Sequence, residues 1–533
     1  MTAPAFSPIE ATIESIHESY RGGLTCETVV QAYLDRIAAF DQKGPALNAF
    51  AALNPRALDE ARELDRKFAA TGALVGPLHG SAIPSNHDRR GCCSSVIRTK
   101  TRARRERLTG VQARKQPETS MNHHKLPVSP STVHWGYFSK VVKPALTIKS
   151  GDRATIETLT HHANDDYERM IKDDPAAEAI FHWTKDEKTI RRRGAGPTEG
   201  KLKFGPGEGL GVHLLTGPVA IEGAEPGDIL EVRVLDARPR PSCSACYAGR
   251  CFGSNAAASW GFQYHDLIEE PRPREVVTIF ELDTSGEPHA KAVYNYVWTP
   301  QTDPDGAVHP TIDYPGVRVD HRIVKRRENV LANVRVPARL HFGTMGLAPS
   351  EADFVSSVPP SYTGGNIDDW RIGKGATMYY PVAVAGGYFS VGDPHAAQGD
   401  SELGGTAIET SLTGDFEFRL HKKNDLAGTT LEGLDHPMLE TDQQWSVYGF
   451  TYPNYLASLG ADAQTAIAQH PSIDRAMRDA FRKLRRFLMT AHKLSEDEAI
   501  ALVSVAADFG VTQVVDANWG VHGSIRKSMF QCS

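Results

Sequence analysis

Between Gly392 and Glu402 the chain reads Gly-Asp-Pro-His-Ala-Ala-Gln-Gly-Asp-Ser-Glu, which puts three carboxylates and one imidazole within ten positions. Carboxylate oxygens and an imidazole nitrogen together suit zinc, manganese or a similar divalent ion. Glycines at 392, 399, 404 and 405 allow a backbone to bend closely around a small site. The same residues have a plainer reading. Asp-Pro and Gly-Asp are turn formers, and a surface carboxylate costs little, so residue chemistry alone leaves a metal loop and an ordinary turn both open.

Four other polar clusters sit at comparable places: Gly364-Gly-Asn366-Ile-Asp368, His341-Phe-Gly-Thr-Met-Gly346, Gly211-Val-His213 leading into Thr216-Gly-Pro218, and His161-His162-Ala-Asn164-Asp165-Asp166. His161 and His162 are neighbours and point apart if they lie on a strand, so at most one is expected to face a common site. No Gly-x-Ser-x-Gly elbow, hydrolase-type cysteine or phosphate-binding glycine loop offers a rival nucleophile or cofactor site. Water activated by a metal is the economical chemistry.

The elements that must position these residues are read from periodicity. Val29, Val30, Tyr33, Leu34 and Ile37 recur at helical spacing after a polar Thr25. Asn54-Pro55 supplies a cap and first-turn proline for a second helix with the stripe Leu58, Ala61, Leu64 and Phe68. From Asn86 to Lys125 arginines and lysines crowd together without interleaved aromatics, which reads as a solvated linker rather than a nucleic-acid surface. Beyond Val128 apolar and charged residues alternate, as in Ile229–Leu235 and Asp415–Leu420, so half-buried strands follow. A β-like run from Tyr379 to Val391 delivers the chain into the acidic loop. Helices return with Ala476, Met477, Phe481, Leu484 and Leu488, and Ser495 with Glu498 forms a capping box for the next.

With 533 residues, 40% hydrophobic and 23% charged, and a formal charge of -6, the composition is that of a soluble enzyme and neither a disordered nor a nucleic-acid-coating chain. No apolar run approaches the length of a membrane span, and Met1–Ile9 lacks the basic and apolar regions of a secretory signal, so a cytoplasmic address is expected. Seven cysteines leave at least one unpaired. Cys243, Cys246 and Cys251 resemble the start of a zinc site without the second half that would complete it.

From Met121 onward the sequence resembles the acetamidase/formamidase family in an ordered series of motifs. These are Val133-His-Trp-Gly-Tyr-Phe138, Thr216-Gly-Pro218, Glu222-Gly-Ala-Glu-Pro-Gly-Asp228, Gly253-Ser-Asn-Ala-Ala-Ala258, Gly343-Thr-Met-Gly346, Gly364-Gly-Asn-Ile-Asp368, Gly392 to Asp400 with Glu402, and Thr512-Gln-Val-Val-Asp516. The resemblance implies a β-rich α+β fold, a β-sandwich-like domain with late helices, that hydrolyses formamide or a short aliphatic amide to carboxylate and ammonia and assembles as a homo-oligomer. Within it Asp368, Asp393 and His395 are the candidate ligands of a divalent metal, zinc foremost. Glu402 is the candidate general base beside a catalytic His395, and Asn366 or His213 is expected to orient the substrate. The small amide is the expected partner, with neither nucleic acid nor membrane. Two other readings stay open: a metal-free amidase using paired carboxylates, and a non-catalytic protein that binds small amides.

The first residues resemble a different family. Leu24 to Ile37 and Gly76-Pro-Leu-His-Gly80 look like the opening of an amidase-signature enzyme, but Ser81 to Asp88 contains no lysine for that family's Ser-Ser-Lys triad. Residues 1–85 are therefore expected to be a truncated, inactive helical fragment, 86–120 a basic and disordered linker, and 121–533 the catalytic domain.

Overall fold

A computed structural model describes residues 13–40, 56–72, 74, 122–181, 212–268, 273–302, 306, 308–312 and 317–530. The chain divides into two compact units, Met1–Pro117 and Glu118–Ser533. The first contains helices Ile13–Arg21, Cys26–Phe40 and Ala57–Thr71. Thr25 begins the second helix as its spacing suggests, with its Oγ1 accepting the Thr28 N–H at 3.1 Å. The Asp65 carboxylate takes the next two free amides, Cys26 N at 2.6 Å and Glu27 N at 3.1 Å. Val29, Val30, Ala61 and Leu64 share one small core with Ile16 and Tyr20. The third helix starts at Ala57 behind Arg56, which offers no side-chain cap; the expected Asn54-Pro55 start and the basic 86–120 segment lie outside the described residues.

Among the described residues the second unit is built on two large sheets. One has nine strands in the order His123–Leu126, Arg153–Thr158, Leu412–His421, Ile229–Pro239, Thr377–Pro381, Met438–Glu440, Gln444–Phe450, Gly520–Arg526 and Asp508–Gln513. The other, of twelve strands, contains the antiparallel run Cys251–Ala257, Ile408–Glu409, Phe389–Ala397, His341–Gly346 and Gly364–Asn366. A single hydrophobic cluster takes Val232, Met378, Tyr380, Phe416, Phe418 and Tyr448 from the first sheet and Val219, Phe342, Met345, Phe389 and Val391 from the second. Residues of both inner faces meet in one core, the arrangement of a sandwich.

The late helices, Ile473–Ala491 and Glu496–Ala506, cover the other face of the nine-stranded sheet. Alternation along Gln444–Phe450 shows why both faces are buried: Tyr448 and Phe450 enter the inter-sheet core, whereas Val447 packs with Leu484, Phe487 and Leu488 of the helix. Gly449 faces the helix too. A β-carbon there would collide with Ala480 N and Ala476 O, so the close approach of helix to strand needs glycine. Ser472 caps the first helix, and the Ser495–Glu498 capping box opens the second. The β-rich α+β class with late and N-terminal helices is thus what the chain adopts. No helix among the described residues is long and apolar enough to cross a membrane.

One local reading is corrected. The expected run from Tyr379 to Val391 is broken: the chain leaves strand Thr377–Pro381, turns through Gly386 and Gly387, and re-enters a strand at Phe389. That strand then continues to Ala397, so Gly392-Asp393-Pro394-His395 is a buried central strand and only Gln398 onward forms a turn.

Candidate active site

Strand Phe389–Ala397 changes partners halfway along one edge. Val391 and Gly392 pair with Thr216 and Leu215, whereas His395 and Ala397 pair with Glu409 and Ile408. Its other edge pairs with His341–Gly346 in step, Phe342 opposite Pro394 and Thr344 opposite Gly392, which sets Gly343 across from Asp393. Asp393 departs from the extended backbone of its strand, with a left-handed φ of 50°. Gly343 forms the floor beneath it. A β-carbon on Gly343 would collide with Asp368 Oδ1, stand 2.6 Å from Asp393 Oδ2 and lie 2.7 Å from the His395 ring.

Above this floor is a cavity of about 170 Å³ lined by Asp368, Asp393, Glu402, Glu409, Asp516 and Asn366, with His161, His162 and His213 on its wall. His395 Nε2 stands 3.3 Å from Asp393 Oδ2 and 3.2 Å from Glu409 Oε1. On the opposite side His161 Nδ1 and His213 Nε2 are 3.7 and 3.8 Å from the Asp393 carboxylate. Asn366 is held by Thr344, whose hydroxyl donates to Asn366 Oδ1, and His213 Nδ1 pairs with Ser357 Oγ at 2.9 Å. Behind His395 lie His341 and Gln398: His395 Nδ1 is 3.1 Å from both, and Gln398 Nε2 donates to the Asp368 carbonyl at 2.6 Å.

Every residue singled out in the sequence, Asn366, His213, Asp368, Asp393, His395 and Glu402, is buried in or against this one cavity. The expectation that only one of His161 and His162 would face it is wrong. They sit in a turn entering the short helix Ala163–Asp166 rather than on a strand, their ring centroids are 4.6 Å apart, and both line the cavity. Glu409 and Asp516 join the site without having been singled out for a role. Asp516 closes the Thr512–Asp516 motif, a signal that was present; Glu409 enters only by cross-strand register with His395.

Crowding carboxylates into a dry cavity shifts their protonation. Burial, then the neighbouring Asp393, raises Asp368 to about 7; burial and Asp368 push Glu402 well above the usual carboxylate range, and burial, Asp368 and Glu402 do the same to Asp516. Glu409 is raised chiefly by burial. Asp393 is the exception. Burial opposes its charge, but His213 and His395 outweigh it and hold Asp393 well below its ordinary value. His395 is raised well above the usual range because Glu409 and Asp393 overcome its desolvation.

The donor set fits a divalent cation. Asp368 with Asp393 and His395, His161 with His213 and Asp393, His395 with Glu402 and Glu409, and Asp368 with Glu402 and Asp516 each bring ligand atoms within 4.8 Å of one another. Asp368 Oδ1, Glu409 Oε2 and Asp516 Oδ2 are buried without a hydrogen-bond partner among the described residues, a costly condition that a cation relieves. Cys243, Cys246 and Cys251 are free and join none of the groups found among the described residues.

A sandwich whose strand irregularity gathers buried carboxylates and imidazoles over a glycine floor is the framework of a small-ligand site capable of acid–base and cation chemistry. The chain belongs to the acetamidase/formamidase family, whose sequence profile matches residues 210–356 and 351–526 and does not reach residues 1–85. It is 30% identical over 213 residues to an acetamidase of Mycolicibacterium smegmatis, covering 36% of this chain and 49% of that protein. It is 27% identical over 282 residues to a formamidase of Methylophilus methylotrophus, covering 49% and 62%. The chain thus aligns with less than two thirds of each of these relatives. A solved acetamidase from Yersinia enterocolitica shares the fold, with a TM-score of 0.51 at 21% identity over 78% of this chain and 95% of that one.

Proposed function

We propose that the protein hydrolyses formamide or a short aliphatic amide to the carboxylate and ammonia. The observation that carries this reading is the cavity of about 170 Å³, which has room for a few heavy atoms and is walled by Asp368, Asp393 and Glu402. Membership in the acetamidase/formamidase family supports it. In this reading Asp368, Asp393 and His395 hold a divalent metal, zinc first. Such an ion, when bound, polarises a carbonyl and lowers the pKa of water from 15.7 toward about 7.

The protein's own groups do the rest. Glu402, whose affinity for a proton is raised by burial and by Asp368, is in its carboxylate form the group that takes a proton from water and passes it to the departing nitrogen. Asn366, fixed by Thr344, and His213, fixed by Ser357, orient the small amide. Val212, Val358 and Val515 on the cavity wall leave space for a short alkyl group. The domain from Met121 works as a homo-oligomer in the cytoplasm, and residues 1–85, the truncated amidase-like fragment, contribute no catalytic group.

The test is ammonia release across formamide, acetamide, propionamide and butyramide, with metal analysis, for the full chain and its His395→Ala and Glu402→Gln variants. Turnover of the shortest amides, lost in both variants, is expected. Full activity of a verified metal-free preparation would remove the metal; no ammonia from any short amide would remove the function and favour a binding protein.

A further inference from the structure

His162 has a partner that the chemistry above does not use. The ring is fully buried and lines the cavity, and its Nδ1 stands 3.0 Å from Asp165 Oδ2 while its Nε2 has no hydrogen-bond partner among the described residues. Asp165 also accepts a 2.6 Å hydrogen bond from Ser254 Oγ, on the strand Cys251–Ala257. Its main chain is pinned from a third direction, its carbonyl being 2.9 Å from His321 Nε2 and 3.3 Å from the Tyr296 hydroxyl.

The next residue provides the contrast. Asp166 is paired with Arg169 at 2.7 Å and takes a 2.6 Å hydrogen bond from the Tyr294 hydroxyl, so its charge is answered by a cation away from the cavity. Asp165 is answered by the histidine. A carboxylate facing Nδ1 holds the ring proton there, because the alternative tautomer would set a lone pair against an anion. That leaves Nε2 as the nitrogen with a free lone pair, the arrangement by which a buried acid sets the tautomer of a working histidine.

We propose that Asp165 is a positioning residue of the active site: with Ser254 it fixes the proton of His162 on Nδ1, so that Nε2 accepts a hydrogen bond from the –NH2 group of the substrate amide. The inference rests on the amide-hydrolysis reading for its substrate, and on the His162–Asp165–Ser254 geometry for its chemistry. It gives Ser254 a purpose within the motif Gly253–Ala258. It also names a group that separates a primary amide, which has N–H to give, from an ester of the same size, which has none.

Nitrogen-15 spectra of the histidine-labelled full chain, at a pH where the ring is neutral and with the signal assigned by its loss in His162→Gln, are expected to show the Nδ1–H tautomer. Asp165→Asn keeps the size of the side chain but lets its amide donate to Nδ1, so it is expected to move His162 toward the Nε2–H tautomer. Amide kcat should then fall on the order of 100-fold or more, with KM changed less than about threefold and hydrolysis of the matching ester much less affected. Ser254→Ala, the milder change, is expected to shift both readouts in the same direction by roughly tenfold or less.

An Nε2–H tautomer in the wild-type chain would overturn the proposal. So would a folded Asp165→Asn protein that keeps the wild-type tautomer and amide kcat. Should that variant not fold, the wild-type spectrum and Ser254→Ala decide. Absence of ammonia release by the wild type sinks the amidase reading and leaves the tautomer to judge the positioning.

Discussion

Gly343 offers the sharpest perturbation, because it lies on a buried strand with an ordinary backbone and its replacement by alanine adds one methyl group and nothing else. That methyl would stand 2.6 Å from Asp393 Oδ2 and 2.7 Å from His395 Cε1, and closer still to Asp368 Oδ1, where ordinary contact begins at 3.4 Å. The carboxylate and the ring must each retreat by roughly 0.7–0.8 Å, or the strand must shift by as much. Overpacking of this kind costs about 1–3 kcal/mol of stability, and a displacement near 1 Å in a reacting constellation costs about 100-fold in rate, equivalent to about 2.7 kcal/mol of barrier. Gly343→Ala is therefore expected to lower kcat/KM for formamide or acetamide by about two orders of magnitude while moving the melting temperature by only a few degrees. Gly449→Ala is the control: it forces helix Ile473–Ala491 off its strand, so it should lower the melting temperature with little effect on kcat of the folded fraction. A Gly343→Ala protein with wild-type kcat/KM and wild-type metal content would refute the packing of Asp368, Asp393 and His395 over Gly343.

Three other outcomes are expected. Glu402→Gln preserves shape and removes the proton carrier, so kcat should fall about 10²–10⁴-fold with the fold intact by circular dichroism. His395→Ala should lower bound metal and turnover together, as measured by elemental analysis on the same sample used for the ammonia assay. Asp228, fully buried and bonded to Lys422 Nζ at 2.5 Å, Lys423 N and Glu225 N, has its pKa depressed below 3.8 by those partners, which overcome the cost of burial. A depressed carboxylate stabilises the fold above its unfolded-state pKa and ceases to do so as pH falls through the folded one. Asp228→Asn should thus be less stable than wild type by about 1.5–3 kcal/mol at neutral pH, with the gap closing below about pH 4 in denaturant titrations.

Much of this was legible from sequence because the physical signals were local. Alternation along Ile229–Leu235 and Asp415–Leu420 reflects strands with distinct faces, and Ser495 with Glu498 satisfies helix amides within one turn. Asp393, His395 and Glu402 of the acidic segment do converge on the cavity, but through a buried strand rather than the loop that the sequence suggests. All nine residues of Phe389–Ala397 are buried, so the period-two signal that marks a half-exposed strand is absent, and Gly-Asp-Pro then reads as a turn. Glu409 was invisible for a different reason. Its place beside His395 is a fact of register between two strands, and register is fixed by the whole sheet rather than by neighbours in sequence. His161 and His162 share the cavity because the backbone turns there, and the alternation of a strand does not apply.

What no local pattern carries is the backbone cost of the site. Asp368, Asp393 and Glu402 have φ of 52°, 50° and 49°, the left-handed region that residues with a β-carbon avoid. Strained residues of this kind cost about 1–3 kcal/mol each, so the three together weigh roughly 3–9 kcal/mol against a net stability of about 5–15 kcal/mol for a whole protein. Loops alone could not hold such residues, since a loop would relax. Here Asp393 sits between Gly392, paired with Thr344 and Leu215, and Pro394, paired with Phe342; Asp368 follows strand Gly364–Asn366 and has its carbonyl held by Gln398, and Glu402 lies one residue beyond Ser401, whose backbone is bonded to Thr512 and Val514. Phe342 and Phe389, on the strands that carry the site, enter the inter-sheet core beside Phe416 of the facing sheet. The large apolar sandwich around a 170 Å³ cavity is thus explicable as the stabilisation that three strained, desolvated carboxylates require if they are to converge on one small molecule.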